Sequence, residues 1–265
     1  MFTYPQGKLV RTLTGFIEPI GLCSDKKGDV FVVDLGAQDI VEYGHGGKKP
    51  IATLDDSGND PIGCYVDPVT GDLAVSGGGI HTDANVAIFA GAQGEPTVYR
   101  DGFLSSLLWC TYDDNGNLFA EGYATGSENP PGAIVELPSG SSQLTTLSLN
   151  VTLGGGGAAQ WDGQYLAVGS PRGTGRGMHG PATIYQFQIS GSKATAVNTI
   201  HLSTGKGSKN AGGVEFWIQD GYIVSPKNHR GGVAQWRYPA GGDALKTFPT
   251  DGTQLGVTIS KGPKG

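Results

Sequence analysis

Residues 18–34 read EPIGLCSDKKGDVFVVD, and the same pattern returns four more times along the chain. The copies are DPIGCYVDPVTGDLAVS (60–76), SLLWCTYDDNGNLFAEG (106–122), GGGAAQWDGQYLAVGS (155–170) and NAGGVEFWIQDGYIVSP (210–226). Each is an apolar-alternating run, an Asp/Gly turn and a second alternating run, which is the pattern of two antiparallel strands joined by a tight turn. A third run ending in a large apolar or aromatic residue follows every copy: IVEYGHGG, VAIFAGAQG, AIVELPSG, IYQFQISG and VAQWRYPAGG. A fourth β-rich run, such as KPIATLDD or DALKTFPT, completes the unit. Four strands per unit, repeated every 40 to 50 residues, is the signature of a β-propeller blade.

Five units are complete, and the ends of the chain supply a sixth. Its inner strand is expected from TQLGVTIS (253–260) and its outer strands from MFTYPQG and KLVRTLTG at the N-terminus. No segment matches the second strand of that blade, so the reading is one domain over 1–265. It is an all-β, six-bladed propeller whose sixth blade is split between the termini and lacks one strand. The expectation attached to this is a chain that starts at an internal Met, with a strand-addition partner as the other way to fill the gap.

Composition agrees. Of 265 residues 46 are Gly and 15 Pro, with glycine far above the 7% or so of ordinary domains and no G-X-Y period, so the chain turns back often and long helices are excluded. The longest runs free of both residues show no amphipathic helical spacing. No apolar stretch reaches the roughly 18 residues of a membrane-spanning helix. A formal charge of −6 and a pI near 5.3 argue against a nucleic-acid partner. The opening MFTYPQGKLV lacks the apolar core of a signal peptide, which leaves the compartment open, with secretion from a bacterium slightly favoured. Three cysteines, Cys23, Cys64 and Cys110, are an odd number without metal spacing and read as buried packing residues, not as a disulfide framework.

The pattern P-x-G-x-x-x-D-x-x-G-x-hydrophobic-x-V, set by Pro19, Gly21, Asp25, Gly28 and Val32, resembles the NHL-repeat family. More distantly it resembles the regucalcin and gluconolactonase family of six-bladed propellers. The match covers essentially the whole chain at the level of fold. In gluconolactonase-like propellers a divalent cation sits at the channel mouth on Glu, Asn and Asp side chains. Residue by residue, the resemblance implies Glu18, Asp60 and Asn210 as ligands of Ca²⁺ or another divalent cation, hard oxygen donors suited to such an ion. The departure is in blade 4, where the glycine run 154–157 stands in place of a ligand.

The loops that enter each inner strand, and those joining second to third strands, share one face with the mouth of the channel. Those of blades 1 and 2 carry Glu18, Asp34, Asp39, Asp55, Asp56, Asp60 and Asp83 and no lysine or arginine, and blade 3 adds Glu121 and Glu128. Those of blades 4 and 5 carry Arg172, Arg176, Lys206, Lys209, Lys227 and Arg230 and no acid. A face divided in this way concentrates charged ligands, and arginine forks suit carboxylate or phosphate, so Arg172, Arg176, Lys227 and Arg230 are the candidate ligand-binding residues. His81, His179 and His229 fall on the same face, and His179 with His229 is the weak candidate for acid–base catalysis. No nucleophile elbow occurs. The four tryptophans lie within strand repeats and read as blade core. Two functions follow: a non-catalytic NHL-like module that binds a small anionic ligand, a glycan or a protein, or a metal-dependent lactone or ester hydrolase of the gluconolactonase type. The blade 4 glycines favour the first.

Overall fold

The computed structural model describes residues 1–79, 82–124, 131–171, 181–204, 215–227, 232–250 and 255–262. Each repeat folds as the sequence implies. Blade 1 is Pro19–Ser24, Val30–Asp34, Asp39–Tyr43 and Pro50–Asp55, antiparallel and paired in chain order. Blade 2 repeats this with Pro61–Val66, Leu73–Gly77, Asn85–Phe89 and Thr97–Arg100. Leu104–Tyr112, Leu118–Ala124, Pro131–Leu137 and Thr145–Thr146 make blade 3. Blade 4 is Ala159–Trp161, Leu166–Pro171, Pro181–Ser190 and Lys193–Ser203, and blade 5 is Trp217–Gln219, Tyr222–Pro226, Val233–Arg237 and Gly241–Phe248. The outer strands of these last two also pair with each other, in parallel, at Leu202 with Gly242 and Ser203 with Asp243. The only helical turn among the described residues is Ala90–Ala92.

Repeated aspartates make the first turn of blades 1 to 4. Asp25 Oδ1 accepts from the N–H groups of Lys27 and Asp29, Asp113 Oδ1 from Asn115 and Asn117, and Asp162 Oδ1 from Gln164 and Tyr165. A side-chain carboxylate that satisfies two backbone donors closes a tight turn locally. That is why the turn recurs at the same place in these four copies.

The buried apolar residues form four clusters, each sandwiched between neighbouring blades. Phe31, Val33 and Ile40 of blade 1 pack with Val66, Val75 and Phe89 of blade 2, while Leu107 and Cys110 of blade 3 pack with Ala74 and Val86 of blade 2. Phe119 and Ile134 meet Leu166, Val168 and Phe187 of blade 4, and Ile184 and Ala167 meet Trp236 and Ile223 of blade 5. The tryptophans at 109, 217 and 236 are buried, as expected.

Both termini occupy the sixth position, between blades 5 and 1. The N-terminal segment forms a small antiparallel hairpin at Phe2 and Leu9. Gln235 Nε2 of blade 5 donates to Tyr4 Oη, Lys246 Nζ donates to the carbonyls of Pro5 and Gln6, and Arg11 Nη1 donates to the carbonyls of Gly46 and Gly47 in blade 1. Residues 255–260 run along the inner position but carry no strand ladder among the described residues. Side chains hold them there instead: Ser24 Oγ donates to Ile259 O at 3.1 Å, Ser260 Oγ donates to Gly28 O, and Val257 N donates to Glu215 Oε2 at 3.0 Å. Among the described residues no second strand lies beside the segment, and side chains make its bonds.

The cysteine expectation is corrected. Cys23 and Cys64 form a disulfide, with Cα atoms 5.7 Å apart across 41 residues of sequence. They lie on the inner strands of blades 1 and 2, which converge toward the axis and bring the two Cβ atoms together. An odd count hides such a pair. Cys110 is the free, buried thiol, and burial pushes its pKa up to about 12.

Candidate functional site

The loop face of blades 1 and 2 is acidic in sequence, yet most of its buried acids are turned toward their own chain. Asp34 is 2% exposed, and its two oxygens accept from the N–H groups of Ile17 and Glu18, each at 2.7 Å. It therefore fixes the loop that delivers the chain to the first inner strand. Glu18 itself is exposed. Asp60 is fully buried with φ at +50°, where only a short polar side chain is readily accommodated. Gln38 Nε2 donates to its Oδ1 at 3.4 Å, and Thr82 N and Oγ1 donate to its Oδ2 at 3.1 and 3.4 Å.

Around Asp60 a polar patch joins blades 1 and 2, and most of its members carry no sequence motif. Gln38 also accepts from Gly58 N, and Asn59 Nδ2 donates to Asp56 Oδ1 at 2.7 Å. Arg100 Nη2 donates to Asn59 Oδ1, and Asn85 Nδ2 donates to Asn59 O. Asp56 is 1% exposed and its Oδ2 has no partner among the described residues. Burial pushes its pKa up to about 7, against the opposing pull of the Asn59 hydrogen bond. Burial also raises Asp39, with the charges of Asp34 and Asp55 adding to it. Amides and threonines in turns are too common for sequence alone to have singled out Gln38, Asn59 or Thr82, and Arg100 ends an outer strand.

Toward the axis the blades close on one another. Tyr65 of blade 2 stacks on Trp217 of blade 5 with ring centroids 5.7 Å apart. Gln160 of blade 4 bonds both backbone groups of Ile218, at 2.6 and 3.1 Å. The space left between Tyr65, Trp109, Gln160, Glu215 and Trp217 is about 10 Å³, the size of a single water. Along this stretch the middle of the propeller is a packed core.

Two buried glutamates tie successive blades together. Glu121 Oε1 accepts from Gly156 N at 3.0 Å, and Glu215 Oε2 accepts from Val257 N. Burial raises the pKa of both well above the usual carboxylate range, although backbone N–H groups oppose it. The blade 4 glycines thereby acquire a structural reason. A Cβ on Gly155 would lie 2.3 Å from the Tyr123 ring, and one on Gly157 would lie 1.9 Å from Gly169 O. Glu121 stands on the acidic half in the sequence reading; the structure places it inside, holding this glycine run.

Of the three expected metal ligands, Asp60 and Glu18 are described and Asn210 lies outside the described residues. Asp60 spends both oxygens on Gln38 and Thr82, and no group of three His, Cys, Asp or Glu among the described residues could hold a metal ion. The described part of the donor set does not fit a cation site. Ser106, at the equivalent place in blade 3, donates to Gly78 O at 2.8 Å. Arg172, Arg176, Lys206, Lys209, Arg230, His81, His179, His229 and Glu128 also lie outside the described residues. Lys227 is described, half-buried, beside the loop.

No family model matches the chain, and no curated protein matches it. Solved structures do. A chain of the nidogen/laminin complex superposes with a TM-score of 0.69 at 15% identity, over 93% of this chain and 86% of that one. A gluconolactonase from Xanthomonas campestris gives 0.64 at 17% identity, over 92% and 80%, and streptogramin B lyase gives 0.57 at 13%, over 86% and 69%. At these identities the likeness is one of fold, the six-bladed β-propeller, shared by binding modules and enzymes alike.

Proposed function

We propose that this propeller is a non-catalytic binding module whose loop face takes a small anionic ligand through the basic loops of blades 4 and 5. The observation that carries this reading is the use to which Asp34 and Asp60 are put. Their oxygens are spent on backbone and amide donors of their own chain, so this part of the acidic half supports the loops. The packed middle of the molecule adds to it, since a ligand is then met at the face and not in a tunnel. Arg172, Arg176, Lys227 and Arg230 supply the charge for the ligand, with arginine forks matched to a carboxylate or phosphate.

The test is a titration with citrate, sulfate and glucuronate at low and at physiological salt. Weak binding that falls steeply with salt is expected, and replacing Arg172, Arg176 and Arg230 together by Ala should abolish it. Unchanged affinity in the triple variant overturns the assignment. A parallel assay of simple lactones and aryl esters, with Ca²⁺, Mg²⁺, Mn²⁺ or Zn²⁺ restored after chelation, addresses hydrolysis. Metal-dependent turnover lost in Glu18→Gln and Asp60→Asn would replace the binding reading by the hydrolase one.

A further inference from the structure

Opposite the loop face lie the first and last turns of each blade, and in blade 1 these turns are basic. Lys26 and Lys27 sit in the turn between its first two strands, and His45, Lys48 and Lys49 in the turn between its last two; all five are exposed. Contacts draw the two turns into one surface. Asp29 Oδ1 accepts from His45 N at 3.0 Å, and His45 Nδ1 lies 2.7 Å from Ser260 Oγ, which donates to Gly28 O. Arg11 of the N-terminal segment clasps the second turn from the other side, donating to the carbonyls of Gly46 and Gly47.

The acids among these cations are turned inward. Asp25 Oδ1 accepts from Lys27 N and Asp29 N, Asp29 holds His45 N, and both carboxylates are half-buried. Glu42 on the third strand is half-buried too, and burial, with the charges of Asp29 and Asp25, raises its pKa against the pull of Lys27. Asp220 is paired with Lys261. Arg11, Lys26, Lys27, Lys48 and Lys49 pair with no acid among the described residues. In a chain of net charge −6 the outermost layer here is therefore positive. The matching turns of blade 2 carry Asp67, Asp72 and Glu95 instead, which confines the positive charge to this edge.

Lysines on turns are ordinarily a solvated rim. A second observation separates this rim from that reading. Leu9, Val10 and Ile51 are 57%, 58% and 62% exposed, and they flank the turn that Arg11 holds. Val10 precedes Arg11, and Ile51 Cδ1 stands 4.0 Å from where a Cβ on Gly44 would lie. Cations interleaved with exposed aliphatic side chains suit a membrane interface, where the cations meet anionic headgroups and the aliphatic groups enter the acyl boundary.

We infer that the rim formed by blade 1 and the N-terminal segment docks on the surface of an anionic lipid bilayer. Lys26, Lys27, Lys48 and Lys49 supply the charge, and Val10 and Ile51 the apolar contact. A polyanion in solution would use the cations and leave the aliphatic side chains in water, so those side chains decide for the bilayer. The contact is peripheral, and no helix among the described residues is long and apolar enough to cross a membrane. The surface lies on the other face from the loop-face reading and does not depend on it.

The experiment is co-sedimentation of the full chain with vesicles of phosphatidylcholine alone and of equal parts phosphatidylcholine and phosphatidylserine. Binding to the mixed vesicles that weakens with salt, and none to phosphatidylcholine alone, is expected. A cation near such a surface is worth about a fivefold change in partition, so Lys48→Ala/Lys49→Ala should weaken binding about tenfold or more. Val10→Ser/Ile51→Ser leaves every charge in place and should weaken it several-fold, which tests the surface independently of the lysines. Arg172→Ala/Arg176→Ala/Arg230→Ala removes three cations from the loop face and should change vesicle binding less than twofold. No binding to the mixed vesicles, equal binding to phosphatidylcholine alone, or a loss in the arginine variant as great as in the lysine variant would each overturn the inference. Unchanged binding in Val10→Ser/Ile51→Ser would overturn it as well, by assigning the patch to a soluble polyanion.

Discussion

At the scale of single residues, the glycine run of blade 4 shows how one sequence feature supports two readings. Read against the gluconolactonase pattern it is a missing ligand; read in space it is a close approach of backbones. Gly157 lies where a Cβ would stand 1.9 Å from Gly169 O and 2.3 Å from its carbonyl carbon, and backbone atoms cannot swing aside as a side chain can. Gly157→Ala should therefore lower stability by about 3 kcal/mol, at the upper end of overpacking costs. Gly102→Ala is the control, since nothing lies within 4 Å of the added methyl, and it should be neutral within about 0.5 kcal/mol. Urea denaturation of both variants checks the pair, and equal stability of the two would remove the steric account.

At the scale of strands and turns, legibility follows locality. The carboxylates of Asp25, Asp113 and Asp162 cap turns two to four residues away, so the information needed to place them sits in one short window. The disulfide depends on which strands become neighbours around the axis, and that is decided by ring closure. The same holds for Gln38 reaching Asp60, a contact that no linear pattern contains. The disulfide joins the inner strands of blades 1 and 2 and spans 41 residues. By loop-closure entropy its removal costs about 4 kcal/mol. Replacing Cys23 and Cys64 by Ala should thus lower the thermal midpoint by several degrees, whereas Cys110→Ser, which buries a hydroxyl in place of a thiol, should leave the dependence on reductant intact. A midpoint for the parent that is unmoved by reductant under unfolding conditions would show that the bond does not staple the two blades.

At the scale of the whole molecule, the raised carboxyls all bias stability in one direction. An acid whose native pKa lies above its unfolded value keeps a proton in the folded state that the unfolded chain has already released. Its contribution is complete below the unfolded value and declines as pH rises toward the native one. For Asp56 the window runs from 3.8 to about 7, and three units correspond to about 4 kcal/mol. Asp39, Glu121 and Glu215 shift the same way, while Asp55, exposed and bonded by Ser57 N, shifts the other way and acts only at lower pH. Glu215 adds a structural consequence because it holds Val257 N, so its ionisation bears on the seam where the ring closes without a strand ladder among the described residues. Stability should accordingly be greater at pH 5 than at pH 8, opposite to the trend of proteins dominated by salt-bridged carboxylates. Urea midpoints measured at unit intervals from pH 5 to 8 should fall steadily. The decline between pH 5 and 7 should flatten in Asp56→Asn, whose amide keeps an acceptor for Asn59 and cannot ionise. A parent midpoint that rises over this range, or a slope that Asp56→Asn leaves unchanged, would mean that the charge at Asp56 is solvated in the folded protein and that the polar patch between blades 1 and 2 is open to water.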